Sequence, residues 1–112
     1  MSRAHLSLAA GARHAAIFAA LGESTRLGLL ARLCEESPSS ISELAKGAPI
    51  SRQAITRHLG VLEKAGVVRG EMAGRVRLFE LNPEALLHAK SYLERVSTHW
   101  GEALARLQAH VE

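Results

Sequence analysis

Apolar positions follow a helical period over the first half of the chain and an alternating one after it. From Ala9 to Leu21 small and apolar residues dominate and Gly22 marks a stop, which predicts a first helix over 9–21. A second helix opens at Ser24 and carries Leu27, Leu30 and Cys34 at helical spacing, with Cys34 read as a small core residue. The stretch "EESPSS" then breaks the pattern, because Pro38 lacks a backbone donor and disfavours helix just before it. Ser40 and Glu43 match the Ser-x-x-Glu capping box and open a short third helix holding Ile41, Leu44 and Ala45. It stops near Gly47, with Pro49 just beyond. Ser51 caps a fourth helix that runs to about Ala65 and ends at Gly66.

After Gly66 the period shortens. The runs "VVRGE" and "RVRLFEL", joined by Met72-Ala73-Gly74, predict a hairpin, and Phe79 and Leu81 alternate with charge as in a half-buried strand. Asn82-Pro83-Glu84 supplies a cap, a proline at the first helical position and an acid in the first turn of a last helix over 83–110. The expected fold is therefore mainly α with a small β-hairpin, in the order α-α-α-α-β-β-α. A short helix, a tight turn and a second helix form a helix-turn-helix, and the hairpin is its wing. The whole chain, 1–112, reads as one winged helix-turn-helix domain.

The fourth helix carries the candidate chemistry. At ~100° per residue, Arg52, Gln53, Thr56, Arg57 and Gly60 fall within an arc of about 140°. Ala54, Ile55, His58, Leu59, Val61 and Leu62 occupy the other side, where His58 reads as a hydrogen-bonded core histidine. Arginine pairs bidentately with guanine in the major groove, glutamine with adenine, and threonine reaches a phosphate or a thymine methyl. Ser51 opens the helix, so free amides near it favour phosphate. An ordinary solvated face has the same composition, and the surroundings decide between the two. From Ser51 to Arg77 the basic residues Arg52, Arg57, Lys64, Arg69, Arg75 and Arg77 stand against Glu63 and Glu71 alone. Arg69, Arg75 and Arg77 lie on the hairpin, where Gly70 and Gly74 permit close approach to a sugar-phosphate backbone. Gly60 costs about 1 kcal/mol relative to alanine and either leaves room for a neighbouring backbone or is simply tolerated.

Composition narrows the classes further. The net charge is +3, all eleven acids are glutamate, and aromatics make up 4% of the chain. Cys34 is the single cysteine, so an internal disulfide or a cysteine-rich zinc cluster is excluded. No signal-peptide core or membrane span is evident, since Arg13 and His14 interrupt the apolar N-terminal stretch, and the chain reads as soluble and cytoplasmic. No aspartate, no glycine-rich phosphate loop and no Ser/His/acid constellation supports an enzyme, and no cofactor is expected.

The segments "FAALGESTRLGLLARL", "ISELAKGAPISRQAITRHLGVLEKAGVV" and "GRVRLFELNP" together resemble the ArsR/SmtB family of bacterial winged-helix regulators from Ile17 onward. The resemblance implies a homodimer that binds double-stranded DNA at a pseudo-palindromic operator and usually represses. It places Ser51, Arg52, Gln53, Thr56 and Arg57 in the major groove and Arg69, Arg75 and Arg77 on the backbone or in the minor groove. Many family members sense metal through a cysteine pair on the third helix, but "SISELAKGA" has none. The chain therefore resembles the metal-independent branch, whose inducer the sequence does not reveal.

Leu86, Ala89, Leu93, Val96, Trp100, Ala103 and Leu107 alternate steps of three and four, a seam suited to another helix. Helices 9–21 and 83–110 are expected to form the dimer interface, through Ile17, Phe18, Leu21, Leu86, Leu93, Val96, Trp100 and Leu107. His88, His99 and Glu102 match part of the family's dimer-helix zinc motif. The aspartate position is Leu86, the register is shifted, and Arg95 and Arg106 share the stripe. No metal site is expected. Two alternatives stand beside a DNA-binding repressor: a winged-helix protein-interaction module, and a metal sensor with a degenerate dimer-helix site.

Overall fold

The computed structural model describes residues 8–111, with side chains left undescribed at 8–10, 13 and 111. Residues 1–7 and 112, included in the single domain by the sequence reading, lie outside the described residues. Five helices and three strands follow in order: α1 (Leu8–Leu21), α2 (Ser24–Glu35), β1 (Ser39–Ser40), α3 (Ile41–Ala45), α4 (Arg52–Lys64), β2 (Val68–Ala73), β3 (Val76–Leu81) and α5 (Pro83–Val111). The helix order and the hairpin match the expected winged helix-turn-helix.

Local chemistry sets the boundaries. The Ser40 hydroxyl accepts from the Glu43 amide at 3.1 Å and the Glu43 carboxylate accepts from the Ser40 amide at 2.9 Å, a complete capping box. The Ser51 hydroxyl accepts from the Ala54 amide at 3.1 Å to start α4. At the far end Gly66 adopts φ +80. There the Val67 amide donates to Leu62 O at 2.9 Å and the Gly66 amide to Glu63 O at 3.0 Å, the paired bonds of a Schellman stop.

Three local expectations change. The sheet has three strands in the order β1-β3-β2, because Ser39 and Ser40 pair with Phe79 and Leu78. Only a break in the helical pattern is expected there, since two serines carry no strand periodicity. The hairpin turn is Gly74-Arg75, with Ala73 opposite Val76, and Met72 and Ala73 remain in β2. Gly74 at φ +66 supplies the positive first position of a type II′ turn. Asn82 spends its side-chain N–H on the Gly66 carbonyl, 2.8 Å away, so it ties the start of α5 to the end of α4.

The core gathers Leu29, Leu30 and Leu33 of α2, Leu44 of α3, Ile55, Leu59 and Leu62 of α4, Val67, Val68 and Phe79 beside the sheet, and Ala85 and Ala89 of α5. Cys34 is exposed, as is Leu27, contrary to the core role expected for the cysteine. The buried arc of α2 is centred between Leu29, Leu30 and Leu33, and at ~100° per residue Cys34 stands about 95° away from it. Two arginines of α2 tether neighbouring elements. Arg26 donates through Nε to Ala20 O at 2.6 Å at the end of α1. Arg32 donates to the carbonyls of Glu43, Leu44 and Lys46 and so closes the end of α3.

Candidate nucleic-acid interface

Burial divides α4 cleanly. Ile55, Leu59 and Leu62 are 0% exposed, whereas Ser51, Arg52, Gln53, Thr56, Arg57 and Gly60 are all exposed. A helix buried along one stripe and anchored to α2, α3 and the sheet holds those side chains on one rigid face. His58 is half-buried at the edge, its Nδ1 lying 3.5 Å from the Arg26 guanidinium and 3.9 Å from the Glu23 carboxylate. Val61, expected on the packed side, is exposed beside the polar arc.

Hydrogen bonding assigns each polar side chain a narrower repertoire than its residue type allows. The Thr56 hydroxyl donates to Arg52 O at 2.8 Å, so its methyl and its oxygen lone pair remain for a ligand but its proton does not. Ser51 uses its oxygen as the cap and keeps its proton for an outside acceptor such as a phosphate. The Arg52 guanidinium donates from Nη2 to Ser42 Oγ on α3 at 2.6 Å. Arg57 has neither a hydrogen bond nor an ion pair among the described residues.

The wing arginines separate in the same way. Arg69 forms an ion pair with Glu80 at 2.8 Å, and Arg77 forms one with Glu63. Arg75, in the turn, is exposed and unpaired among the described residues. Exposed pairs of this kind contribute little energy, so a phosphate can replace the carboxylate, but each pair reduces the positive field offered to DNA. Counting charge along the chain does not show these pairs, because Glu80 lies beyond Arg77 and Glu63 meets Arg77 only when α4 packs beside the sheet. Gly70 has a different role from the close approach to DNA expected of it. A Cβ there would sit 2.8 Å from Arg77 Nε and 2.9 Å from the Phe79 ring, and Arg77 stacks over that ring at 4.9 Å. The glycine makes room for the protein's own side chains. Around Gly60 and Gly74 there is open space.

The second expected surface is on α1 and α5. Leu93, Trp100 and Leu107 are 52%, 64% and 61% exposed, unusual values for large apolar residues repeated along one helix. Phe18, Leu21, Leu86, Ala89 and Leu93 line an apolar groove between the two helices. Ile17 faces the chain's own core at 3% exposed rather than the surface, and Val96 is half-buried. Where the helices meet, His14 stacks on Tyr92 with ring centres 4.3 Å apart. His88, His99 and Glu102 are all exposed on α5. His88 lies 3.9 Å from Glu84, and the His99 ring bonds Arg95 O at 2.8 Å through Nδ1. Among the described residues of one chain, no three ligand-type side chains gather as a metal group, and no helix is long and apolar enough to cross a membrane.

Known proteins share this arrangement. A family model described as a helix-turn-helix domain matches residues 21–71. The HTH-type transcriptional regulator Rv2034 of Mycobacterium tuberculosis is 36% identical over 85 residues, 76% of this chain and 76% of that protein. The HTH-type transcriptional repressor SmtB of the same species is 33% identical over 69 residues, 62% of this chain and 50% of that one. The solved structure of an ArsR-like transcriptional regulator from Rhodococcus sp. RHA1 superposes with a TM-score of 0.80 at 33% identity, covering 94% of this chain and 98% of that one. Fold and relatives agree: the chain belongs to the ArsR family of winged helix-turn-helix regulators and is a DNA-binding transcriptional regulator.

Proposed function

We propose that the protein represses transcription as a homodimer on a pseudo-palindromic operator, without a metal or other cofactor, in the cytoplasm. The observation that carries this reading is the solvent face of α4, where four polar side chains and no acid stand opposite a fully buried stripe. In each half-site Arg52, Gln53, Thr56 and Arg57 read base edges in the major groove. Ser51 and the free amides at the start of α4 hold a phosphate. Arg75 contacts the backbone from the wing, and Arg69 and Arg77 join it on exchanging their carboxylates for phosphates. One such helix reaches too few bases for specificity. Two, related by a twofold axis, read half-sites about one turn or ~34 Å apart. The apolar groove between α1 and α5 and the exposed seam of α5 support that pairing.

Selection of bound duplexes from a random library, followed by a mobility-shift titration, tests the reading. The expected result is an inverted repeat bound by two chains. Recovery of no preferred sequence, or one chain per site, would overturn it. DNA binding is also expected to be unchanged by added zinc or by a chelator, since the dimer-helix triad lacks its aspartate. Zinc that releases DNA from the intact protein but not from His99→Ala would reverse that assignment.

A further inference from the structure

Three exposed arginines of the DNA face are held by a side chain of another element, and the partners are of two kinds. Arg69 and Arg77 are held by carboxylates, which draw the guanidinium away from a polyanion. Arg52 is held by a neutral hydroxyl, Ser42 Oγ, at 2.6 Å. Ser42 is exposed on the first turn of α3, and Arg52 is the first residue of α4, so the bond spans the turn of the helix-turn-helix. A neutral acceptor fixes the plane of a guanidinium without cancelling its charge. Arginine has five donors in that plane, and Ser42 uses only one, leaving the fork free for the two acceptors of a guanine. Both backbones are anchored, α3 by its capping box and the Arg32 tether, α4 by its buried stripe.

We infer that Ser42 is a positioning residue for base recognition, holding Arg52 in its reading geometry before DNA arrives. This rests on the proposed role of Arg52 in the major groove. Without Ser42 a long flexible side chain must be ordered on binding, which weakens the preferred site about three- to tenfold. Non-preferred duplexes, where Arg52 has no base to fit, lose nothing. Arg57, with no such partner, gains no equivalent advantage.

The test compares Ser42→Ala, Ser42→Thr, Arg52→Ala and the Ser42→Ala/Arg52→Ala double variant as full chains. The duplexes are the selected operator, its single-base variants and random DNA. Ser42→Ala is expected to lower operator affinity by that factor and to flatten preference at the same base pair as Arg52→Ala. Random-duplex affinity and the salt slope should stay unchanged. The double variant should match Arg52→Ala, and Ser42→Thr, which keeps the hydroxyl, should restore the preference. Uniform weakening of all duplexes by Ser42→Ala, or losses that add fully in the double variant, would make Ser42 an independent backbone contact and overturn the inference. Arg52→Ala altering preference while Ser42→Ala does not would overturn it alone. Arg52→Ala leaving preference intact would overturn the reading of Arg52 and this inference together.

Discussion

Arginine at the protein surface offers its full charge to a polyanion only when no nearby carboxylate has already neutralised it. Among the described arginines of the DNA face, Arg57 on α4 and Arg75 in the wing turn have no partner to leave before they meet DNA. Arg57→Ala is expected to relax base preference at one position, costing ~1–3 kcal/mol there. Arg75→Ala should weaken every duplex alike and reduce the salt slope by about one. Arg69→Ala and Arg77→Ala should do the same more weakly, because each arginine must first leave a glutamate. Titrations against operator and random duplex at several salt concentrations check all four, and a wing variant that shifted base preference would exchange the roles. Gly70 makes a prediction of another kind. Gly70→Ala forces Arg77 or the buried Phe79 to move and should cost about 1–3 kcal/mol of stability, read from denaturant unfolding.

Among the elements, α3 is the shortest helix and depends most on its cap. The Ser40 amide, and after it the Ser40 hydroxyl, holds the Glu43 carboxyl below its ordinary value of 4.5. A carboxylate depressed in the folded state stabilises the fold above its unfolded pKa, and that contribution is lost as pH falls through the folded value. Glu43→Ala should therefore lower the urea midpoint fully at neutral pH, and the gap to wild type should close as pH falls below the ordinary carboxylate range. A gap that stayed constant with pH would show that packing, rather than the charged cap, was lost. The same contrast explains what could be read in advance. The caps at Ser40 and Ser51 and the stops at Gly47 and Gly66 involve residues within a few positions of each other, so the sequence carries them directly. Strand β1, the exposure of Cys34, and the carbonyl tethers of Arg26 and Arg32 arise from how separate elements dock on one another. No local pattern encodes them. The reading face of α4 was legible because a helix's period separates faces. The loss of Arg69 and Arg77 to carboxylates was not, because sheet register sets Arg69 beside Glu80 and the packing of α4 beside the sheet sets Glu63 beside Arg77.

At the scale of the whole molecule, the radius of gyration is 17.9 Å, against ~13 Å for a compact chain of this length. The 29 residues of α5 extend ~44 Å and account for much of the 61 Å long axis. Leu93→Glu places a charge in the middle of the seam. Because Leu93 is half-exposed in a single chain, that chain should still fold, while burying the charge between two chains is prohibitive. Sedimentation should show monomer and a mobility shift should show operator affinity lost, with α4 untouched. A variant that stayed dimeric would shift the interface to Phe18 and Leu21.

Pairing through the exposed seam of α5, as proposed, would also make copy number part of the regulator's chemistry. A helix that finds its partner only in a second molecule is stabilised by mass action, so the thermal midpoint should climb with protein concentration. Occupancy of the operator then depends on the square of the free-chain concentration when chains are scarce. A modest fall in abundance would silence the regulator before any ligand acted, which gives the cell a threshold set by synthesis and dilution alone.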